Sequence, residues 1–278
     1  MLAIRPSNAT EPNESLDETK YKTGPKTTKA TAKAQAQTKP LETNTAWLKR
    51  VKATKGLILL GGAALSHFRI RVAQSHARAD LRPSCWSLVG ILIDQKTFLS
   101  VPLELCAESS EIAENNGVQT CNMADYDDPA RFPNIAVIEF TPDTKMILEN
   151  VRLVAGDKKE KKPAQRNIVD LPTLMLPWLS YVWISGKASN PLADGLGLPS
   201  AVFVETVYGM AGIELTPGMA SSTSCPEAIW QAAKYWREFY SAAAKTTHKE
   251  NAKQQIPVGN YLIRQKVAAA DWPAEEAR

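Results

Sequence analysis

A hydrolytic nucleophile needs a hydroxyl or thiol, a base to take its proton and a helix end or dipole to steady the charge that develops. The residues of the right types here are four cysteines (Cys85, Cys106, Cys121, Cys225), three histidines (His67, His76, His248) and Ser200, which follows Pro199 at the head of an apolar run. Serine in that place ordinarily caps the helix it starts. As a nucleophile it would need a base, and His67 and His76 are of the right type, although the spacing assigns neither. Cys106 is followed by glutamates with no positive charge beside it, so its thiol is expected to keep a normal or raised pKa. Cys85 and Cys225 are the weaker nucleophile candidates. No C-x-x-C pair, zinc-finger spacing or H-E-x-x-H is present, so no metal site is read. Gly61-Gly62 and Gly195-Leu196-Gly197 lack phosphate-loop spacing, and no cofactor is expected. Asp125, Asp127 and Asp128 lack EF-hand spacing and read as a turn before a strand.

The elements that must position these residues follow from periodicity. Residues 56–60 (GLILL), 87–93 (SLVGILI), 97–103 and 134–140 (NIAVIEF) read as strands, and the third is interrupted by Pro102. Residues 67–73 (HFRIRVA) alternate strictly and read as a half-buried strand. Helices follow. Residues 143–155 place Ile147, Val151 and Val154 on one face, with Gly156 just past the end. Asp170 caps a segment running to Ile184. Residues 200–213 form an almost wholly apolar helix, central to the core, with Phe203, Val207 and Met210 expected inside. Ser224 and Glu227 read as a capping box for a helix to about Ala244. Strands first and helices later predict an α+β domain: a small antiparallel sheet packed against helices.

The chain is asymmetric. Residues 1–45 hold almost no aromatic or β-branched aliphatic residues beyond Ile4 and Tyr21 and read as a disordered polar, basic tail. Residues 1–55 carry 11 Lys/Arg against 5 Asp/Glu, whereas residues 56–278 carry 22 against 24. The domain, placed at 46–245 with a partly ordered extension at 246–278, therefore lacks a basic excess, and any contact with nucleic acid is expected through the tail alone. Residues 158–162 (KKEKK) read as a solvated loop. The longest apolar runs, 57–65 and 171–184, are too short to span a bilayer, and the N-terminus does not read as a secretory signal. The expectation is a cytoplasmic protein with reduced thiols.

One ordered set of short motifs is informative: Ser87-Leu88-Val89-Gly90-Ile91 on a strand, a strand ending near Glu104, an Asn-Gly-Val turn, the strand to Phe140, and Pro199-Ser200-Ala201 opening a buried helix. The helix is followed by Ala211-Gly212-Ile213 and Leu215-Thr216-Pro217, and Cys225-Pro226-Glu227 then opens another helix. Over residues 56–240 this order resembles circularly permuted papain-like proteins, the YiiX-like and lecithin:retinol acyltransferase-like branch of NlpC/P60. In that family S-H-V-G-I supplies the catalytic histidine, a downstream polar residue orients it, and a Cys-Ser pair at a helix start supplies the nucleophile. The resemblance maps these roles onto Leu88, Glu104, Pro199 and Ser200.

The departures fall on the chemistry. Leu88 has no basic nitrogen and Pro199 no nucleophile, so these positions are vestigial and the expected function is that of a pseudoenzyme, a non-catalytic domain binding a protein or small ligand. Two alternatives stay open. One is an active hydrolase or acyltransferase of the same fold, acting on peptide or lipid acyl bonds through Ser200, Cys85 or Cys225. The other is an accessory protein of novel α+β fold whose tail engages nucleic acid. In a papain-like arrangement Leu88 and Ser200 are neighbours, because a proton must pass between strand and helix.

Overall fold

Side chains alternate across a strand, so a strand of unbroken apolar residues must be covered on both faces. Leu57–Gly61 (β1) is such a strand, buried throughout. In the computed structural model, which describes residues 42–103, 114–140, 143–157, 159–184, 188–246 and 260–264, β1 lies near the middle of a six-stranded antiparallel sheet. The other strands are Leu88–Leu92 (β2), Thr97–Ser100 (β3), Gln119–Asn122 (β4), Asn134–Glu139 (β5) and Asn260–Arg264 (β6). Their order is β4-β3-β2-β1-β5-β6. Leu59 pairs with Val89 on one side and Ala136 on the other. Leu57, Leu59, Val89 and Ile91 face one core cluster; Ile58, Leu60, Leu88 and Leu92 face a second.

Six helices are described. They are Asn44–Val51 (α1), Leu65–Ala73 (α2), Thr144–Ala155 (α3), Leu171–Trp183 (α4), Pro199–Gly209 (α5) and Pro226–Thr246 (α6). The fold class is α+β, as the order of elements predicts. Helices α3 to α6 contribute to the first cluster, and α1, through Trp47 and Leu48, to the second. The cap read at Asp170 is present, its side chain accepting from the N–H of Thr173, and Asp143, read as the first helical residue, is instead the N-cap of α3, accepting from the N–H of Lys145. Gly156 follows α3 at φ 79°, where a side chain would be strained.

Four expectations are corrected. Residues 67–73 form most of α2, not a strand. Seven alternating residues also fit a helix when polar groups are buried, and here they are: His67, Ile70, Arg71 and Gln74 lie on the inner side, whereas Val72 is exposed. Arg71 Nε donates to the carbonyl of Ser84 at 2.6 Å, which lets a guanidinium sit in the core. Strand β3 stops at Ser100 rather than Leu103. Helix α5 stops at Gly209, which leaves Met210 partly exposed. The capping box between Ser224 and Glu227 does not form; Ser224 Oγ donates to Glu205 at 3.0 Å, and the N–H of Glu227 donates to Gln74 at 2.9 Å. Local spacing favoured the box, and tertiary partners won.

The same regrouping makes Glu227 a polar hub. Its carboxylate is fully buried, accepts from Ser84 Oγ at 2.6 Å, from Gln231, and pairs with Arg78 at 3.3 Å. Helix α6 is thereby tied to the connection between α2 and β2. At the other end of the domain Asn44 is buried in α1; its amide donates to the carbonyls of Tyr126 and Phe132, and Arg264 of β6 bonds its oxygen. The stretch read as tail, residues 1–45, lies outside the described residues up to 41, and α1 begins within its last two positions.

Glu227→Ala would leave Arg78 and Ser84 facing an emptied, buried position and should cost about 3–5 kcal/mol of stability. Val207→Asp, which buries an unpaired charge in the fully covered face of α5, should cost a similar amount, of order 3–5 kcal/mol. Urea unfolding of each variant measures both values, and a midpoint equal to that of the parent chain would contradict the assignment of the core.

Candidate functional site

Helix α5 opens where the sheet ends. Pro199 occupies its first turn, where no backbone donor is needed, and Leu198 before it offers no side-chain cap. The start of the helix is fixed from outside. The N–H groups of Gly197 and Leu198 donate to the carbonyls of Ser222 and Ser224 at 2.8 and 2.9 Å. Gly197 permits this approach, since a β-carbon there would lie 2.7 Å from the Ser224 oxygen. Within the first turn, Ala201 and Val202 both donate to the carbonyl of Leu198.

A partly enclosed cavity of about 20 Å3 lies at this point. Ser200 lines it from α5, Leu88 and Ser87 from the start of β2, and Ser66, His67 and Ile70 from α2. The segment 101–103 after β3 and Val182 at the end of α4 close it. That segment is pinned by Trp183, whose indole N–H donates to the Leu103 carbonyl at 3.3 Å. The sequence-predicted pair Leu88 and Ser200 therefore share one cavity. Leu88 is the first residue of β2, so it serves both the cavity wall and the second core cluster. Pro199 is buried beside them, and Glu104 lies outside the described residues.

Ser200 is 1% exposed, and its hydroxyl has no hydrogen-bond partner among the described residues. Ser87 is satisfied differently: its Oγ donates to the Leu60 carbonyl at 3.3 Å and accepts from the N–H of Gly62 at 3.1 Å. His67 is mostly buried, edge-on to Phe132, with its ring lying over Gly62 where a β-carbon would come within 2.4 Å of it. The sequence reading treats His67 as one of two interchangeable bases; the structure puts it on the cavity wall, whereas His76 sits in the short turn after α2 and does not line the cavity. Reading residues 67–73 as a helix would have shown this, because His67, Ile70, Arg71 and Gln74 then share a face. Ser66 and the 101–103 segment carry no sequence signal that marks them as lining.

The cysteines fall elsewhere. Cys85 and Cys225 are buried near Glu227, and neither lines the cavity. Burial pushes the Cys85 thiol up, with the Glu227 charge acting in the same direction. Burial pushes the Cys225 thiol up to about 12. Both are therefore protonated at neutral pH, the reverse of an activated nucleophile. Cys106 and His248 lie outside the described residues. Glu205, inside α5, is a buried carboxylate whose ionisation burial disfavours; Thr216 and Ser224 donate to it at 2.6 and 3.0 Å. Its partners bind α5 to the 214–224 connection, a structural role.

Two further features were singled out in the sequence. Asp127 accepts from the N–H of Thr45 at 2.7 Å, so it anchors α1, and among the described residues no cluster of His, Cys, Asp or Glu is arranged to hold a metal ion. A second groove, of about 440 Å3, is open to solvent beside Lys161, Lys162 and Arg166. Its charge is mixed: Lys162 pairs with Glu160, and Asp157 and Glu114 line the same groove. No described helix is long and apolar enough to cross a membrane.

Alkylation of the native chain with iodoacetamide at pH 8, read residue by residue by mass spectrometry, should leave Cys85 and Cys225 unmodified until the protein is denatured, because their thiolate fraction is negligible and they are sealed from solvent. Rapid labelling of either in the folded chain would show an activated thiol.

Comparison with protein-family models, with curated proteins and with solved structures gives no match for this chain.

Proposed function

We propose that residues 46–245 form a non-catalytic, permuted papain-like binding domain whose ligand is received where the family keeps its catalytic pair. The single observation that carries this reading is the shared cavity: the strand position corresponding to the family's base, Leu88, lines it together with Ser200 at the helix start corresponding to the nucleophile, and the Ser200 hydroxyl has no hydrogen-bond partner among the described residues. A serine hydroxyl ionises only when a base within hydrogen-bond reach accepts its proton, and a helix dipole alone does not supply that. The apolar residue at position 88 removes the acceptor, and Pro199 removes the thiol. What is left is a pocket with an unengaged hydroxyl, walled by apolar residues together with Ser66, Ser87 and His67, which suits recognition.

One observation favours a second reading, that of an active hydrolase: His67 lines the same cavity as Ser200. In that reading the imidazole would serve as the base that takes the proton from Oγ.

A fluorophosphonate probe separates the two. The full chain should not be labelled at Ser200, and Ser200→Ala and His67→Ala should behave as the parent does. Labelling that disappears in both variants would make Ser200 an activated nucleophile and overturn the non-catalytic reading.

A further inference from the structure

We infer that the cavity at the start of α5 is a binding site for the carboxylate of a short aliphatic acid. This rests on the reading of the cavity as a binding site without catalysis, and it names the ligand chemistry.

Ser200, which lines the cavity, carries two donors. The Ser200 hydroxyl is buried and unpartnered among the described residues, so its donor is unused. A buried hydroxyl without a partner is costly, and a group brought in by a ligand removes that cost. The backbone N–H of Ser200 sits in the first turn of an eleven-residue helix, where no intrahelical carbonyl can reach it, and Leu198 provides no cap. Both groups donate, so the complementary atom is an acceptor. The helix end also carries a partial positive charge, which favours an anionic acceptor over a neutral one.

The rest of the lining sets the remainder of the ligand. Ile70, Leu88, Val101 and Leu103 present apolar surface, and among the described residues none that lines the cavity carries a carboxylate that would repel an anion. Ser66, His67 and Ser87 also line the cavity, and the Ser87 hydroxyl is already engaged with Leu60 and Gly62; burial strengthens the action of the dipole and of the Ser200 hydroxyl. The volume, about 20 Å3 by the measure in which a single water needs roughly 10–15 Å3, admits about one or two water-sized groups, so the enclosed part takes the carboxylate head and the alkyl chain lies toward the open side. A carboxylate with a short alkyl chain satisfies each condition: oxygens toward Ser200, methylenes toward Leu88 and Val101. A bulkier acid would have to move the 101–103 segment, which Trp183 holds.

The test uses the isotopically labelled full chain titrated with sodium propionate, followed by amide chemical shifts at constant ionic strength. The expected result is a saturable shift centred on the amides of Ser200 and Ala201, with a Kd on the order of 1–10 mM. Propylammonium, of the same shape and opposite charge, should give none. Ser200→Ala, checked for an unchanged fold by its spectrum, should weaken propionate by about tenfold or more, since a hydrogen bond to a charged group is lost. Leu88→Phe should abolish the response by filling the space. Absence of a saturable shift, or an equal response to propylammonium, overturns the inference. If that happens while the fluorophosphonate probe still fails to label Ser200, the non-catalytic reading stands and only the ligand class falls.

Discussion

Burial of α5 on almost every side is the constraint to which the other elements answer. Nine of its eleven residues are buried, and a helix that is apolar all round is stable only when other elements cover it. The sheet covers it from one side through Val89 and Ile91, while α3, α4 and α6 contribute to the same core cluster. Residues such as Phe203 and Val207 have no exposed edge, and truncating a buried phenylalanine to alanine typically costs about 3–5 kcal/mol. Once α5 is fixed, its first turn is fixed too, and so is the place where Ser200 meets the end of β2.

Polar groups do the locating that apolar burial cannot. Hydrophobic contact is non-directional, so several registers of α5 and α6 would bury similar area. Glu205 resolves one such ambiguity: its buried carboxylate is satisfied only if Thr216 and Ser224 lie opposite. Glu227 resolves another, since Ser84, Arg78 and Gln231 converge on it while Gln74 accepts its N–H. Arg71 and Asn44 act in the same way at their own positions, Arg71 donating to the Ser84 carbonyl in the connection to β2 and Asn44 to the distant carbonyls of Tyr126 and Phe132. Buried groups of this kind contribute little net energy, but a misplaced partner leaves one of them uncompensated at several kcal/mol.

This arrangement also explains why the cavity is small and sparsely polar. Its floor is made by residues that belong first to the core, among them Leu88, Ile70 and Leu198. An active site of the papain type would need a base and a nucleophile exposed to each other across the same gap. Here the strand position is apolar and the helix position is a proline and a serine, and Leu88, Ile70 and Leu198 serve the cavity wall and the core at once.

Much of this was legible in the sequence. Unbroken apolar runs such as residues 57–60 and 134–138 require burial on both faces, and strands followed by capped, periodic helices require an α+β domain. Gly156 and Asp170 mark helix ends through local chemistry that no distant contact overrides. The order of short motifs drew attention to Leu88 and Ser200, which the folded chain brings to one cavity. The rest depended on tertiary partners. Residues 67–73 alternate like a strand, yet they are helical because His67 and Arg71 find buried acceptors or packing that only the fold supplies. Ser224 and Glu227 have the spacing of a capping box, yet each is taken by a residue from another element. Strand β6 carries no strong signal in its own five residues and exists because β5 offers it an edge. Periodicity and turn chemistry act over a few residues and can be read from sequence; the partner of a buried polar group is decided by where the chain returns, and only the folded structure decides that.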